Sequence, residues 1–178
     1  MTKVHLLVLL GGVAVLLATN RLPAAPDDVS DRARRIHANA LVVDTHVDIP
    51  NLLKPGWVFT EEHKEDHVDL PRMRRGGLDA VFFSIYMPGT VTGATAVNDA
   101  LLRIAAVRTL VANLPDQLAL CTTAEEIRRA NKEKKIAVLM GMEGGHMLND
   151  SLALLRVYAD LGVRYLTLTH NVDTDWAD

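Results

Sequence analysis

The sequence predicts a parallel α/β fold in which strands alternate with helices, and three short apolar runs carry that prediction. Leu41-Val42-Val43 leads into Asp44-Thr45-His46-Val47-Asp48. Ile136 to Met142 ends in Glu143, followed by Gly144, Gly145 and His146. Val163 to Thr169, rich in β-formers from Tyr165 onward, ends in His170. Each run has strand length, and each releases a polar, metal-competent residue at its carboxyl end. In parallel α/β folds, above all the (β/α)8 barrel, active sites are built at that end of the strands.

Taken in chain order, Lys3 precedes an apolar run from Leu6 to Ala18 that is broken only by glycines, and Thr19 to Pro26 follows it. A basic start, a short apolar core and small residues beyond it form a secretory leader over residues 1–25. The run is too short for a comfortable membrane span. The expected location is periplasmic or extracellular, with membrane association left open. Asp28 to His37 predicts a short polar helix capped by Ser30 and feeding the first strand.

Pro50 to His67 predicts a long irregular loop containing Pro55, Gly56 and Trp57, placed to wall a cleft after the first strand. Leu78 to Tyr86 is apolar nearly throughout, as a parallel strand covered on both faces should be. Ala94 to Asn113 carries Val97, Leu101, Ile104, Val107 and Val111 at helical spacing, with Arg103 and Arg108 free to reach solvent. Thr123 and Glu126 form a capping box for a helix to about Asn131. Asn149 or Asp150 is expected to cap a helix bearing Leu152, Leu155, Tyr158 and Ala159, which Gly162 ends.

With 19 Lys and Arg against 22 Asp and Glu, a net charge of -3 gives no basic bias for nucleic acid. The local clusters at Arg72, Arg74, Arg75 and Lys132 to Lys135 read as solvated faces. Cys121 is the only cysteine, so an intrachain disulfide is impossible.

The chemistry lies at the strand ends. Imidazole and carboxylate at His46 and Asp48 suit a zinc ion, although such a pair in a turn also serves as a plain hydrogen-bonded contact. Glu143 is too costly to bury without a cation or a cluster of donors. Asp44 can orient His46 or tie down the turn. His63 and His67 have ligand spacing but sit among charges, and Asp173, Asp175 and Asp178 read as a solvated loop around Trp176.

Four ordered segments resemble the membrane (renal) dipeptidase family of zinc peptidases: Asp44 to Pro50, Val68 to Met73 with Gly76-Gly77, Gly141 to His146, and Tyr165 to His170 continuing to Asp178. The resemblance runs from about residue 30 to the last residue and implies the amino-terminal half of a (β/α)8 barrel with two zinc ions in the complete protein. It assigns His46 and Asp48 to the first zinc, Glu143 to a bridge between both, and His170 to the scissile carbonyl of a dipeptide substrate. His146 is then a loop or supporting residue. The family's further histidines, arginine and catalytic aspartate would lie after Asp178.

A whole barrel needs about 250 residues, and the chain beyond its leader offers roughly 150, enough for about four or five strand-helix units. The expectation is therefore a dipeptidase fragment, inactive alone and homodimeric when complete. The alternatives are another metal-dependent amidohydrolase, or a non-catalytic binding protein.

Overall fold

The structure, a computed structural model, describes residues 29–49, 54–174 and 177. The leader therefore lies outside the described residues, as do Pro50, Asp175, Trp176 and Asp178. Ser30 accepts the Ala33 amide at 3.3 Å and opens α1 (Asp31–Asn39), close to the predicted helix. β1 (Val43–Val47) starts where the predicted strand was to end, so His46 lies within it and Asp48 just past it. The cause is Asp79: its carboxylate accepts the Val42 amide at 2.8 Å, while the Val42 carbonyl accepts the amides of Asp79 and Ala80.

A helix beyond the predicted loop, α2 (Leu70–Arg75), follows, in a stretch for which the sequence predicts no element. Asp69, wholly buried, caps it by accepting the Arg72 amide at 2.8 Å, and also takes the Arg72 guanidinium and the His63 amide. Then come β2 (Ala80–Tyr86), α3 (Gly93–Asn113), β3 (Leu118–Leu120), α4 (Ala124–Lys132), β4 (Ile136–Glu143), a 3-10 turn at Gly145–Leu148, α5 (Leu152–Asp160) and β5 (Val163–Thr167). Both halves of the Thr123–Glu126 capping box are present at α4.

All strand pairings are parallel, in the order β1-β2-β4, and the far edge of β4 is shared. Its amino half pairs with β3 and its carboxyl half with β5. The three-residue β3 was not foreseen, because it is too short to show a period. One face of the sheet, with Val81, Phe83 and Ile85 from β2 and Val138, Met140 and Met142 from β4, is buried in one core with Ala96, Ala100, Ile104 and Val107 of α3. The helix uses Ala96 and Ala100 there rather than the expected Val97 and Leu101, and Leu101 is 40% exposed. Alanine lets helix and sheet approach more closely than a larger side chain would.

Strand alternation puts Ala80, Phe82, Ser84 and Tyr86, with Ala137, Leu139, Gly141 and Glu143, on the opposite, inner face. Register aligns them laterally: Ser84, Gly141 and Tyr165 form one row, and Tyr86, Glu143 and Thr167 form the next. Two further expectations need correction. Neither Asn149 nor Asp150 caps α5; both take left-handed backbone (φ 45° and 54°) to turn the chain, and Ser151 stands at the cap. Arg103 does not simply extend into solvent, since its Nε is buried. On α5 only Tyr158 is buried, its hydroxyl donating to the Met147 carbonyl at 2.9 Å, while Leu152 and Leu155 are exposed. Among the described residues no helix is long and apolar enough to cross a membrane.

Candidate metal centre

Two irregularities in the strands decide which side chains reach the inner face. In β1, Asp44 pairs with Val81 and Val47 with Phe83, so three steps on β1 match two on β2. Val47 shares the outer core with Phe83, and His46 and Asp48 therefore turn inward. The Asp44 carboxylate accepts the His46 amide at 3.0 Å within this bulge. Asp44 thus ties down backbone and leaves the imidazole to another partner.

In β5 the same device recurs. Val163 pairs with Met140 and Tyr165 with Gly141, leaving Arg164 as the extra residue. Simple alternation from the buried Val163 would send Tyr165 outward, and the bulge sends it inward. Arg164 pins the bulge by donating to the carbonyls of Thr122 at 2.9 Å and Ala159 at 2.8 Å.

The inward residues converge on Glu143. His46 Nε2 lies 3.1 Å from Glu143 Oε2 and 3.7 Å from Asp48 Oδ1, and His170 Nε2 lies 3.1 Å from Glu143 Oε1. Ser84 Oγ donates to Glu143 Oε2 at 2.9 Å. His46 Nδ1 meets the Tyr165 hydroxyl at 2.7 Å, and Tyr86 sets its ring edge-on to His170 with centroids 5.1 Å apart. All four residues singled out from the sequence, His46, Asp48, Glu143 and His170, are brought together. Ser84, Tyr86 and Tyr165 were missed, although Ser84 is the one polar side chain inside the apolar run of β2.

His46, Asp48 and Glu143 each offer one ligand atom, and these atoms lie within 4.8 Å of one another. One imidazole nitrogen with two carboxylates is a donor set that fits a zinc-like divalent cation. Burial, and then the carboxylates of Glu143, Asp48 and Asp44, push the Tyr165 phenol above its ordinary value. Burial lowers His146, with His170 acting in the same direction and a hydrogen bond to the Met87 backbone opposing them.

His63 is used structurally. Its Nε2 meets the Val58 carbonyl at 2.7 Å, and its ring stacks on Trp57, whose indole donates to Asp66. These contacts tie the loop after β1 together between residues 57 and 66. His67 joins no ligand group among the described residues. Asp173 lines a cavity of about 340 Å³ with His146, Asn149 and Asp150, beside the turn that follows β2.

The sequence profile of membrane dipeptidases (peptidase family M19) matches residues 30–178. The chain belongs to that family. Among solved structures, the probable dipeptidase PvdM from Pseudomonas aeruginosa aligns with a TM-score of 0.73 at 25% identity, over 83% of this chain and 39% of its own. Dipeptidase AC, a metallopeptidase, aligns with a TM-score of 0.64 at 28% identity, over 72% and 42%. A metallopeptidase from Rhodobacter sphaeroides, solved with a phosphinate mimic of the dipeptide L-Ala-D-Ala, aligns with a TM-score of 0.62 at 26% identity, over 70% and 44%. The chain thus spans about two fifths of the length of these structures, and its parallel α/β sheet corresponds to part of a barrel. The membership read from the four sequence segments is borne out.

Proposed function

We propose that this chain supplies the amino-terminal half of the barrel of a zinc-dependent dipeptidase. His46 and Asp48 hold one zinc ion, Glu143 bridges to a second, and His170 faces the scissile carbonyl. The observation that carries this reading is the meeting of His46, Asp48 and Glu143, whose ligand atoms lie within 4.8 Å of one another at the inner face of the sheet. The second Glu143 oxygen, Oε1, is turned away from His46 and is the atom left for a further cation. The dipeptide mimic bound by the Rhodobacter sphaeroides relative supports a dipeptide substrate.

When bound, zinc supplies Lewis-acid polarisation of the carbonyl and lowers the pKa of water toward neutrality. The chain's own residues do the rest. Ser84 fixes one oxygen of Glu143, so the carboxylate cannot rotate away from the inner face. Tyr86 sets its ring edge-on to His170, the residue whose imidazole we assign to developing negative charge on the substrate oxygen. Alone, these 178 residues hold the ligands of one ion and the bridge, and they are inactive without the rest of the barrel. Residues 1–25 direct export, and the complete enzyme is a homodimer.

The division of roles is tested by zinc analysis beside dipeptide kinetics on the full barrel. His170→Ala should keep its zinc and lose turnover, whereas His46→Ala and Asp48→Ala should lose zinc. Zinc loss in the His170 variant, or undiminished turnover, contradicts the assignment.

A further inference from the structure

We infer that Tyr165 is the positioning residue of the metal centre: its hydroxyl accepts the His46 Nδ1 proton and holds Nε2 toward Asp48 and Glu143. The inference rests on the zinc reading above and adds a residue to it.

A histidine that gives its Nε2 lone pair to a cation must carry its proton on Nδ1. That proton needs an acceptor to fix the tautomer and the ring plane, a task usually done by a carboxylate, a carbonyl or water. Asp44 is occupied with the His46 backbone amide. The group that meets Nδ1 is the Tyr165 hydroxyl, at 2.7 Å, with the two rings tilted by 28° and their centroids 6.3 Å apart. The phenol oxygen can accept this bond while its own proton points elsewhere.

Three features of the chain build this contact. The bulge at Arg164 puts Tyr165 on the inner face, where unbroken alternation would have turned it into the helix-covered core. Gly141, its lateral partner on β4, leaves the space that the phenol ring fills: a Cβ there would clash with Cζ and both Cε atoms. Phe82, one step down the inner face of β2, supports the ring with centroids 5.3 Å apart. A tyrosine laid across β4 in this way reaches from β5 to a ligand on β1. Burying an aromatic ring does not by itself require an empty position on the next strand and a hydroxyl on the ligand's second nitrogen.

The test is zinc affinity, measured by competition with a chromophoric chelator on the full protein, for wild type and Tyr165→Phe. Phenylalanine keeps the ring and its packing and removes only the acceptor. Thermal denaturation of the metal-free forms, run in parallel, reports any general loss of structure. A 10- to 100-fold weaker first zinc site, with the metal-free melting temperature nearly unchanged, is expected. A His46→Gln background supplies the second readout: glutamine has no Nδ1 proton to orient, so adding Tyr165→Phe there should change zinc affinity little. Equal zinc affinity of wild type and Tyr165→Phe overturns the inference while leaving the zinc reading intact. So does an equal loss with and without His46. Wild type that binds no zinc at His46 overturns both.

Discussion

Substituting Gly141 by alanine puts the packing of the inner face under the most direct strain. The backbone at Gly141 does not lie in the left-handed region, so alanine can adopt it freely. At such a site Gly→Ala stabilises by about 0.4–1 kcal/mol through the unfolded chain. Here the new Cβ would land on the Tyr165 ring, and bulges pinned by Arg164 and Asp44 leave the surrounding strands little room to move. Overpacking of this kind costs about 1–3 kcal/mol. Expelling the ring forfeits its hydrogen bond as well, about 0.5–1.5 kcal/mol. The net expectation is a destabilisation of about 1–3 kcal/mol, worth roughly 2–4 °C in melting temperature per kcal/mol for a domain of this size. The assay is urea unfolding of Gly141→Ala in two backgrounds, wild type and Tyr165→Ala. With the ring removed the destabilisation should disappear, leaving the change neutral or stabilising. Equal destabilisation in both backgrounds refutes the reasoning, because the cost would then come from something other than the ring.

Two further predictions concern titratable groups. Burial pushes the Cys121 thiol up to about 11, and the residue is almost wholly inaccessible. It should stay unmodified by a thiol reagent at pH 8 in the folded protein and react at once in denaturant; rapid stoichiometric labelling of the native form contradicts this. Burial alone would raise the Asp69 carboxyl, but the His63 and Arg72 amides and the Arg72 side chain outweigh it and hold the group below its ordinary 3.8. A carboxyl depressed on folding contributes stability above its unfolded value and loses it as pH falls through the folded one. Below pH 3.8, wild type should therefore lose stability more steeply than Asp69→Asn, as followed by urea midpoints across pH. Parallel acid limbs for the two proteins count against the role given to this cap.

The proposed ligands were legible because each stands at the carboxyl end of an apolar run, where a polar side chain is conspicuous. The segments before and after them were legible through family resemblance. What could not be read was which face each residue takes. Alternation counted from Val163 turns Tyr165 outward, and alternation counted from Asp44 turns His46 outward, so both inward orientations depend on bulges that leave no mark in a hydrophobic pattern. The bulges are set by side chains distant in sequence, such as Arg164 reaching Thr122. Ser84 and Gly141 gain meaning only from register across β2 and β4. α2 was missed for a different reason: Asp69 and Pro71 are ordinary helix-start signals, but six residues are too few to show a period. The alanine stripe of α3 was passed over because larger side chains one position later match the same helical spacing.

In the proposed metal centre, His46, Asp48 and Glu143 are the ligands and Glu143 is the shared member. Metal content after exhaustive dialysis, measured on the full protein for wild type, Asp48→Ala and Glu143→Gln, tests it most directly. The account predicts two zinc ions per wild-type chain, the loss of one in Asp48→Ala, and the loss or severe weakening of both in Glu143→Gln, because only the bridge touches both. Wild type without stoichiometric zinc, or Glu143→Gln that retains both ions with undiminished affinity, contradicts it.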